Sequence, residues 1–77
     1  MHGALHQLTH RTVQSKSEPG RYADGGGLHL VVTKSGSKNW SFKYRWDGKR
    51  PELGFGGYPA VSLANARSFA EIARGAL

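Results

Sequence analysis

The chain has 77 residues and a mass of 8.4 kDa, which allows one small domain with a thin core, since a chain of this size buries only about 60% of its unfolded surface. Its 11 Lys and Arg residues against 5 Asp and Glu residues give a net charge of +6, which favours a polyanionic partner, above all nucleic acid. The absence of cysteine excludes disulfides, thiolate metal sites and a cysteine nucleophile. The sequence has neither a long apolar run nor a signal peptide, so we expect no membrane partner and a cytoplasmic location.

Most of the excess charge lies in one stretch, residues 34–50. Six cations in this stretch are opposed only by Asp47, which leaves a net charge of +5 there. The cations are Lys34, Lys38, Lys43, Arg45, Lys49 and Arg50. A localised basic surface indicates a binding site for a polyanion. The alternative is a charged hairpin that serves solubility, because sheet edges are often rich in lysine for that reason.

Residues 1–7 show no periodicity, and we interpret them as a flexible leader. A short helix is predicted to begin after Thr9, which is a good N-cap residue. Leu8 and Val13 are spaced to form a hydrophobic staple around this helix start. The helix should end before the Pro-Gly pair at 19–20.

The run Asp24-Gly25-Gly26-Gly27 precedes an apolar strand predicted over residues 28–33. A Walker phosphate loop needs Gly-Lys-Ser/Thr at the start of a helix, whereas this glycine run opens a strand. We therefore predict a tight turn with positive φ angles at the glycines.

A second strand, residues 38–46, shows the clearest alternation in the chain. Its aromatic residues point one way and its polar and basic residues point the other way. The aromatic residues are Trp40, Phe42, Tyr44 and Trp46, and we predict that they face the core. Asp47-Gly48 is a strong hairpin signal, and a third strand follows over residues 51–55.

Loop lengths predict which residues of neighbouring strands lie opposite each other. The second hairpin is given a two-residue turn, and the first hairpin a three-residue loop over 35–37. The predicted pairs are Trp46–Lys49, Phe42–Leu53 and Trp40–Phe55 in the second hairpin and Val32–Trp40 in the first.

Ser62 is predicted to cap a final helix, whose small apolar residues recur every three or four positions and face the aromatic side of the sheet. The predicted fold class is therefore α+β. A three-stranded antiparallel sheet has one face covered by a C-terminal helix and is preceded by a short N-terminal helix, in the order α-β-β-β-α. Residues 8–77 form this domain.

The opposite face of the predicted sheet is uncovered, and its side chains are mostly polar or cationic. They are His29, Val31, Thr33, Asn39, Ser41, Lys43, Arg45, Arg50 and Glu52. Three strands about 4.8 Å apart span about 10 Å, which fits a B-DNA major groove roughly 12 Å wide. We predict that Thr33, Asn39, Ser41, Lys43 and Arg45 read bases and that Lys34, Lys38, Lys49 and Arg50 hold phosphates.

Several short motifs occur in a set order along the chain. They are Asp24-Gly25-Gly26-Gly27-Leu28, Gly36-Ser37-Lys38-Asn39-Trp40, Tyr44-Arg45, Leu53-Gly54, Tyr58-Pro59 and Ser62-Leu63-Ala64-Asn65-Ala66-Arg67. With these motifs at these spacings, residues 8–77 resemble the N-terminal domain of phage and genomic-island integrases of the tyrosine recombinase family. The resemblance implies binding of double-stranded DNA at arm-type sites, with the sheet in the major groove.

The resemblance also implies a longer parent protein, a prophage integrase with core-binding and catalytic domains, in the bacterial cytoplasm at the nucleoid. Other integrase domains or protomers are then partners of this chain. The catalytic residues of the family lie in the catalytic domain, so none is carried onto this sequence and the fragment is not expected to be an enzyme. His29 stands where relatives commonly have an aromatic residue.

Two other functions stay open at this point. The order α-β-β-β-α is also that of double-stranded RNA-binding domains, but these use lysines at the start of the last helix, where this chain has no cation before Arg67. The uncovered face is alternatively a protein-interaction surface within a recombination complex. An independent enzyme is the weakest reading, because paired carboxylates and nucleophile–base spacings are missing, and we predict no cofactor, metal or small-molecule substrate.

Overall fold

The structure is a computed structural model that describes residues 7–76. This part of the chain contains two helices and four strands. The elements are α1 (His10–Ser15), β1 (Gly20–Gly25), β2 (Leu28–Val32), β3 (Lys38–Lys43), β4 (Glu52–Tyr58) and α2 (Leu63–Ala76). The strands form one antiparallel sheet in the order β1-β2-β3-β4. The predicted leader, residues 1–7, lies outside the described residues except for Gln7.

The α+β class with an antiparallel sheet and a C-terminal helix is confirmed, but the prediction of three strands is wrong. The additional strand, β1, pairs with β2 through Arg21 opposite Val31 and Ala23 opposite His29. Apart from Tyr22, its residues are glycine, small or charged, and only its last two positions are buried. Alternation therefore does not reveal β1, because its pairing with β2 and not an apolar face defines the strand.

The glycine run turns the chain between β1 and β2, as predicted. Gly25, Gly26 and Gly27 have positive φ angles of 103°, 64° and 98°. The carbonyl oxygen of Gly27 accepts a 2.9 Å hydrogen bond from the amide of Lys43 at the end of β3. A Cβ atom at Gly27 would collide with the carbonyl oxygen of Lys43, so this close approach of two backbones requires glycine.

The first hairpin, between β2 and β3, is two residues away from its predicted register. Val32 lies opposite Lys38 and not opposite Trp40. The ladder stops there because the amide of Thr33 donates a 2.9 Å hydrogen bond to the carbonyl of Ser37, which closes the connecting loop. A shift by an even number of residues leaves each side chain on its predicted face of the sheet.

The second hairpin has the predicted turn. Trp46 lies opposite Lys49 in an isolated bridge around Asp47-Gly48, and Phe42 lies opposite Leu53. The regular part of β3 ends earlier than predicted, at position 43 and not at 46. Pairing near the turn is therefore as the two-residue loop predicts, although the strand itself is shorter.

Farther from this turn the register slips at a β-bulge in β4. Trp40 lies opposite Gly56, so the predicted pairing of Trp40 with Phe55 is wrong. The bulge leaves Phe55 without a partner in the ladder, and its ring stacks on that of Phe42 with 5.8 Å between the ring centres. Glycines on both sides of Phe55 allow the strand to bend here.

Both helices begin where the sequence predicts. At the start of α1, the hydroxyl of Thr9 accepts a 3.1 Å hydrogen bond from the amide of Thr12. At the start of α2, the hydroxyl of Ser62 accepts a 3.1 Å hydrogen bond from the amide of Asn65. These side chains satisfy amides that the first turn of a helix leaves unpaired.

One apolar core joins the helices to one face of the sheet, which we call the covered face. The core contains Leu8, Val13, Leu28, Leu30, Val32, Trp40, Phe42, Leu63, Ala66 and Ala70. Tyr44 packs against this core, but Trp46 is 58% exposed, so the prediction that all four aromatic residues face the core is wrong for Trp46. The regular strand has ended before Trp46, and its indole is not among the side chains of the core or those packed against it.

A buried carboxylate ties the N-terminal segment, β1 and α2 together. Asp24 is 1% exposed and is the extra residue of a β-bulge between Ala23 and Gly25. Its carboxylate accepts a 2.8 Å hydrogen bond from the amide of Leu8 and two 2.9 Å bonds from the guanidinium of Arg67. Arg67 also donates to the carbonyl of Leu8 at 2.6 Å. The hydrogen bonds to Asp24 raise the pKa of Arg67 further above its usual value.

We expect Asp24→Ala to lower the free energy of unfolding by about 3 to 5 kcal/mol, because it leaves the guanidinium of Arg67 and the amide of Leu8 without their partner. Urea unfolding followed by circular dichroism measures the change. The matched control is Glu71→Ala on the exposed side of α2, which we expect to change the free energy by less than about 0.5 kcal/mol. Equal effects of the two variants would show that the buried network adds nothing to stability.

Candidate nucleic-acid interface

The face of the sheet opposite the core, which we call the open face, is covered by no helix within residues 7–76. Side chains alternate along a strand, so the residues between the core positions point to this face. Strand pairing arranges them in rows: Arg21, Val31 and Asn39; Ala23, His29 and Ser41; and Lys43 with Glu52. The open face therefore presents mainly polar and charged groups.

An ion pair crosses the open face and joins the two edge strands of the sheet. Arg21 on β1 donates from Nη2 to Oε2 of Glu52 on β4 at 2.9 Å. The same carboxylate oxygen accepts a hydrogen bond from the hydroxyl of Ser41. The hydrogen bonds from Ser41 and then from Arg21 hold the pKa of Glu52 below its usual value. Ser41 is 6% exposed, and its hydroxyl already donates to Glu52 in the free protein.

Arg21 is a cation of the open face that the sequence-based prediction missed. It lies on β1, and β1 itself was not predicted. The one signal in the sequence was Tyr22, a strong strand former whose neighbours at 21 and 23 then point to the opposite face. Pairing with β2 places Arg21 beside Val31 on the open face.

Only some of the predicted base-reading residues lie together on the open face. Asn39, Ser41 and Lys43 alternate along β3 on the open face. Thr33 lies beyond the end of β2, where its hydroxyl accepts a 3.2 Å hydrogen bond from the loop that follows. Arg45 is exposed past the end of β3, at the opposite end of the sheet from Thr33. Three of the five thus share one strand, and two lie at the ends of the sheet.

The predicted phosphate-binding cations also divide between the two ends of the sheet. Lys34 is exposed in the connection between β2 and β3. Lys49 and Arg50 are exposed in the connection between β3 and β4, close in sequence to Arg45. The open face is therefore bordered by cations at both ends.

Lys38 lies elsewhere, on the covered face opposite Val32. Its ammonium donates to the carbonyl oxygens of Val13 and Gln14 at 2.7 and 2.9 Å. These carbonyls belong to the last turn of α1, where the helix dipole favours a positive charge. The ammonium also lies 5.5 Å from the ring centre of Tyr58. Lys38 thus caps the C-terminal end of α1 and joins that helix to the sheet.

Comparison with known proteins identifies the kind of domain that carries this face. Residues 8–77 match the family described as the arm DNA-binding domain. The chain belongs to this family. DNA is therefore its partner, and the domain binds DNA and is not itself catalytic.

Several relatives of this arm DNA-binding domain are integrases. The integrase of Enterobacteria phage P4 is 48% identical over 59 residues, which cover 74% of this chain and 13% of that integrase. The integrase of Shigella phage Sf6 and the prophage integrase IntS of Escherichia coli are each 46% identical over 59 residues, which cover 77% of this chain and 15% of the relative. The chain thus spans a small part of the length of these relatives, and it is an arm-type domain of the kind found in phage integrases.

The motifs that carry the resemblance to integrases have structural roles in the arm DNA-binding domain. Asp24, in the Asp-Gly-Gly-Gly motif, and Arg67, in the last motif, are the two sides of the buried ion pair. Trp40 is buried, and its Nε1 donates a 2.7 Å hydrogen bond to the carbonyl of Val61. Asp24, Arg67 and Trp40 in these motifs therefore hold the sheet and helices together.

Two further properties concern residues 7–76. In this part of the arm DNA-binding domain, no group of three or more histidine, aspartate or glutamate side chains is placed to hold a metal ion. Neither of the helices described is long and apolar enough to cross a membrane.

We expect the arm DNA-binding domain to lose a stabilising contribution from Glu52 in acid. Because the pKa of Glu52 is lowered by folding, its bonds to Ser41 and Arg21 stabilise the fold fully above the pKa of the unfolded chain, about 4.3. The contribution is lost as the pH falls through the lower pKa of the folded state. The urea midpoints of the wild type and of Glu52→Gln should therefore begin to converge below the pKa of the unfolded chain and meet once the pH has fallen through the lower pKa of the folded state. A difference between them that is constant from neutral to acid pH would contradict this assignment.

Proposed function

We propose that the open face of the sheet enters the major groove of double-stranded DNA at arm-type sites, in the N-terminal domain of a prophage integrase of the tyrosine recombinase family. The observation that carries the proposal is that both helices pack on the covered face, which leaves Arg21, Asn39 and Lys43 on a face without a helix. Cationic and amide side chains are the groups that bind phosphates and base edges. The match to the arm DNA-binding domain family supports DNA as the ligand.

The width of the sheet limits how many strands fit in the groove. Four strands about 4.8 Å apart span about 14 Å, which exceeds a major groove roughly 12 Å wide, whereas β2, β3 and β4 span about 10 Å. We place β2, β3 and β4 inside the groove and β1 at its border, because the exposed cations Lys49 and Arg50 lie in the connection between β3 and β4. This position brings Arg21 next to the phosphates of one strand.

The chemistry of each side chain suggests its role on the DNA. Asn39 is suited to the two-bond contact with adenine, and Lys43 and Arg45 are suited to the acceptors of guanine. Thr33 offers its methyl group to thymine, although it lies at the end of the sheet. Ser41 becomes available to a base when its hydroxyl leaves Glu52.

Phosphates are assigned to exposed cations outside the regular strands. These are Lys34, Lys49 and Arg50, together with Arg21 at the border of the groove. Lys38 is assigned a structural role, because its ammonium already donates hydrogen bonds to the carbonyls at the end of α1. About four neutralised phosphates give a slope near −3.6 for log K against log salt.

In the free protein, Glu52 binds two side chains that would contact DNA in the proposed complex, Arg21 and Ser41. Its carboxylate supplies the acceptor oxygens that a phosphate or a base edge would otherwise offer to Arg21 and Ser41. When DNA enters, its phosphates compete with Glu52 for the Arg21 guanidinium. The carboxylate also repels phosphates that approach without making these contacts, which favours specific over non-specific binding.

The similarity to integrases supports the rest of the proposal. The parent protein carries core-binding and catalytic domains, and these domains and other protomers are partners of this domain. Its place is the bacterial cytoplasm, on the nucleoid. Several arm and core sites bound at once would add affinity through linkage without any new contact.

We expect Lys43→Ala and Arg45→Ala to weaken binding to a selected DNA site by about tenfold each and to relax sequence preference, because each removes a base contact worth about 1 to 3 kcal/mol. Lys49→Ala should weaken binding to every duplex alike and flatten the salt slope by about one unit, because it removes one phosphate contact. Electrophoretic mobility shifts measure both effects, with sites selected from a random duplex pool by the wild-type domain.

The control for these variants is Glu71→Ala on α2, which is remote from the open face. Duplex RNA of the same sequence is included as a competitor. Indistinguishable losses from Lys43→Ala, Arg45→Ala and Lys49→Ala on all duplexes would contradict the division into base-reading and phosphate-binding residues. Equal competition by RNA would favour an RNA-binding module instead.

A further inference from the structure

Trp46 has a large apolar side chain that lies outside the core. Its exposed fraction is 58%, whereas the other tryptophan, Trp40, is 1% exposed. It lies at the tip of the hairpin that connects β3 and β4, three positions beyond Lys43, where β3 ends. At about 3.3 Å per residue, the tip extends roughly 10 Å beyond the regular sheet.

The backbone holds this tip in one shape. The amide of Trp46 donates to the carbonyl of Lys49 at 2.9 Å, and the amide of Lys49 donates back to the carbonyl of Trp46 at 2.8 Å. Asp47 and Gly48 between them have φ angles of 51° and 73°, as a tight hairpin turn with two left-handed residues requires. The indole is therefore attached to a rigid turn, and little chain entropy is lost when it makes a contact.

The surroundings of the indole are cationic. Arg45, Lys49 and Arg50 are all exposed in this connection, and Asp47 is its one acidic residue. Bridge pairing puts Lys49 directly across from Trp46. A surface that fits this tip must offer both an apolar edge for the indole and anions for the neighbouring cations. The backbone of a DNA duplex has this composition, with the carbon atoms of each deoxyribose between two phosphates.

We propose that the tip of this hairpin is a separate contact to the duplex, in which Trp46 packs on a deoxyribose and Lys49 binds the adjoining phosphate. This inference rests on the proposed function, since the sheet in the groove brings the tip to the bordering backbone. The contact reads no base, so it adds affinity for any duplex. It also fixes how far the sheet slides along the groove, because a rigid tip has one position against the backbone.

The apolar patch around Phe69 and Ile72 on α2 differs from the tip. Both side chains are exposed, at 42% and 71%, but they lie on the helix that packs on the covered face. A sheet bound through its open face keeps this patch away from the DNA. Ile72 therefore supplies a matched control, an exposed apolar side chain of the same domain with no expected contact to the duplex.

The test is quenching of tryptophan emission by acrylamide, with and without a 20-base-pair duplex of mixed sequence at low salt. Acrylamide is neutral, so the phosphates do not repel it. In the free domain the quenching constant is dominated by Trp46, and Trp46→Phe reports the buried Trp40 alone. We expect saturating duplex to lower the quenching constant of the wild type to near that of Trp46→Phe. In mobility shifts, Trp46→Ala should weaken binding roughly fivefold for all sequences, and Ile72→Ala should leave it unchanged.

The outcomes separate this inference from the proposed function. A duplex that is shifted in the gel but leaves the quenching of Trp46 unchanged overturns the tip contact and leaves the sheet in the groove. Shielding of Trp46 that grows with protein concentration in the absence of DNA also overturns it, because the tip would then bind a second copy of the chain. No complex with any duplex at low salt overturns both proposals.

Discussion

The buried carboxylate of Asp24 is the contact on which the arrangement of this domain depends. It accepts hydrogen bonds from the backbone amide of Leu8 and from the guanidinium of Arg67. One side chain at a β-bulge thus holds the N-terminal segment and α2 against β1. A chain of this size has a thin core, and small residues such as Ala66 and Ala70 supply little apolar area on α2. A charged and fully hydrogen-bonded network sets the position of the helix where packing alone is weak.

Both helices pack on one face of the sheet, and the proposed DNA contact uses the other face. The open face carries cations and amides because it needs no apolar residues, and the hairpins place further cations at both ends of the sheet. In the free protein the carboxylate of Glu52 lowers the positive charge of this face and accepts hydrogen bonds from Arg21 and Ser41. In the proposed complex the four-stranded sheet is wider than the groove, so β1 lies at its border and brings Arg21 to the phosphates.

The sequence predicted those parts of the fold that local chemistry determines. The caps at Thr9 and Ser62 and the turn at positions 47–48 are local, and all of them are confirmed. Strand β1 was missed because its pairing with β2 and not its own pattern makes it a strand, and the bulge at Phe55 was missed because it depends on packing against the core. Alternation along β3 predicted the open face. The ion pair between Glu52 and Arg21 was not predicted, because Arg21 lies on the strand that was missed.

We expect DNA to bind to the open face and not to the helices. Titration of the nitrogen-15-labelled domain with a selected duplex, followed through the backbone amide resonances, tests it most directly. We expect the largest chemical-shift changes along β2, β3 and β4 and in the connection between β3 and β4, with the exposed sides of α1 and α2 nearly unchanged. Large changes confined to α1 or α2, with the amides of β3 undisturbed, would contradict it.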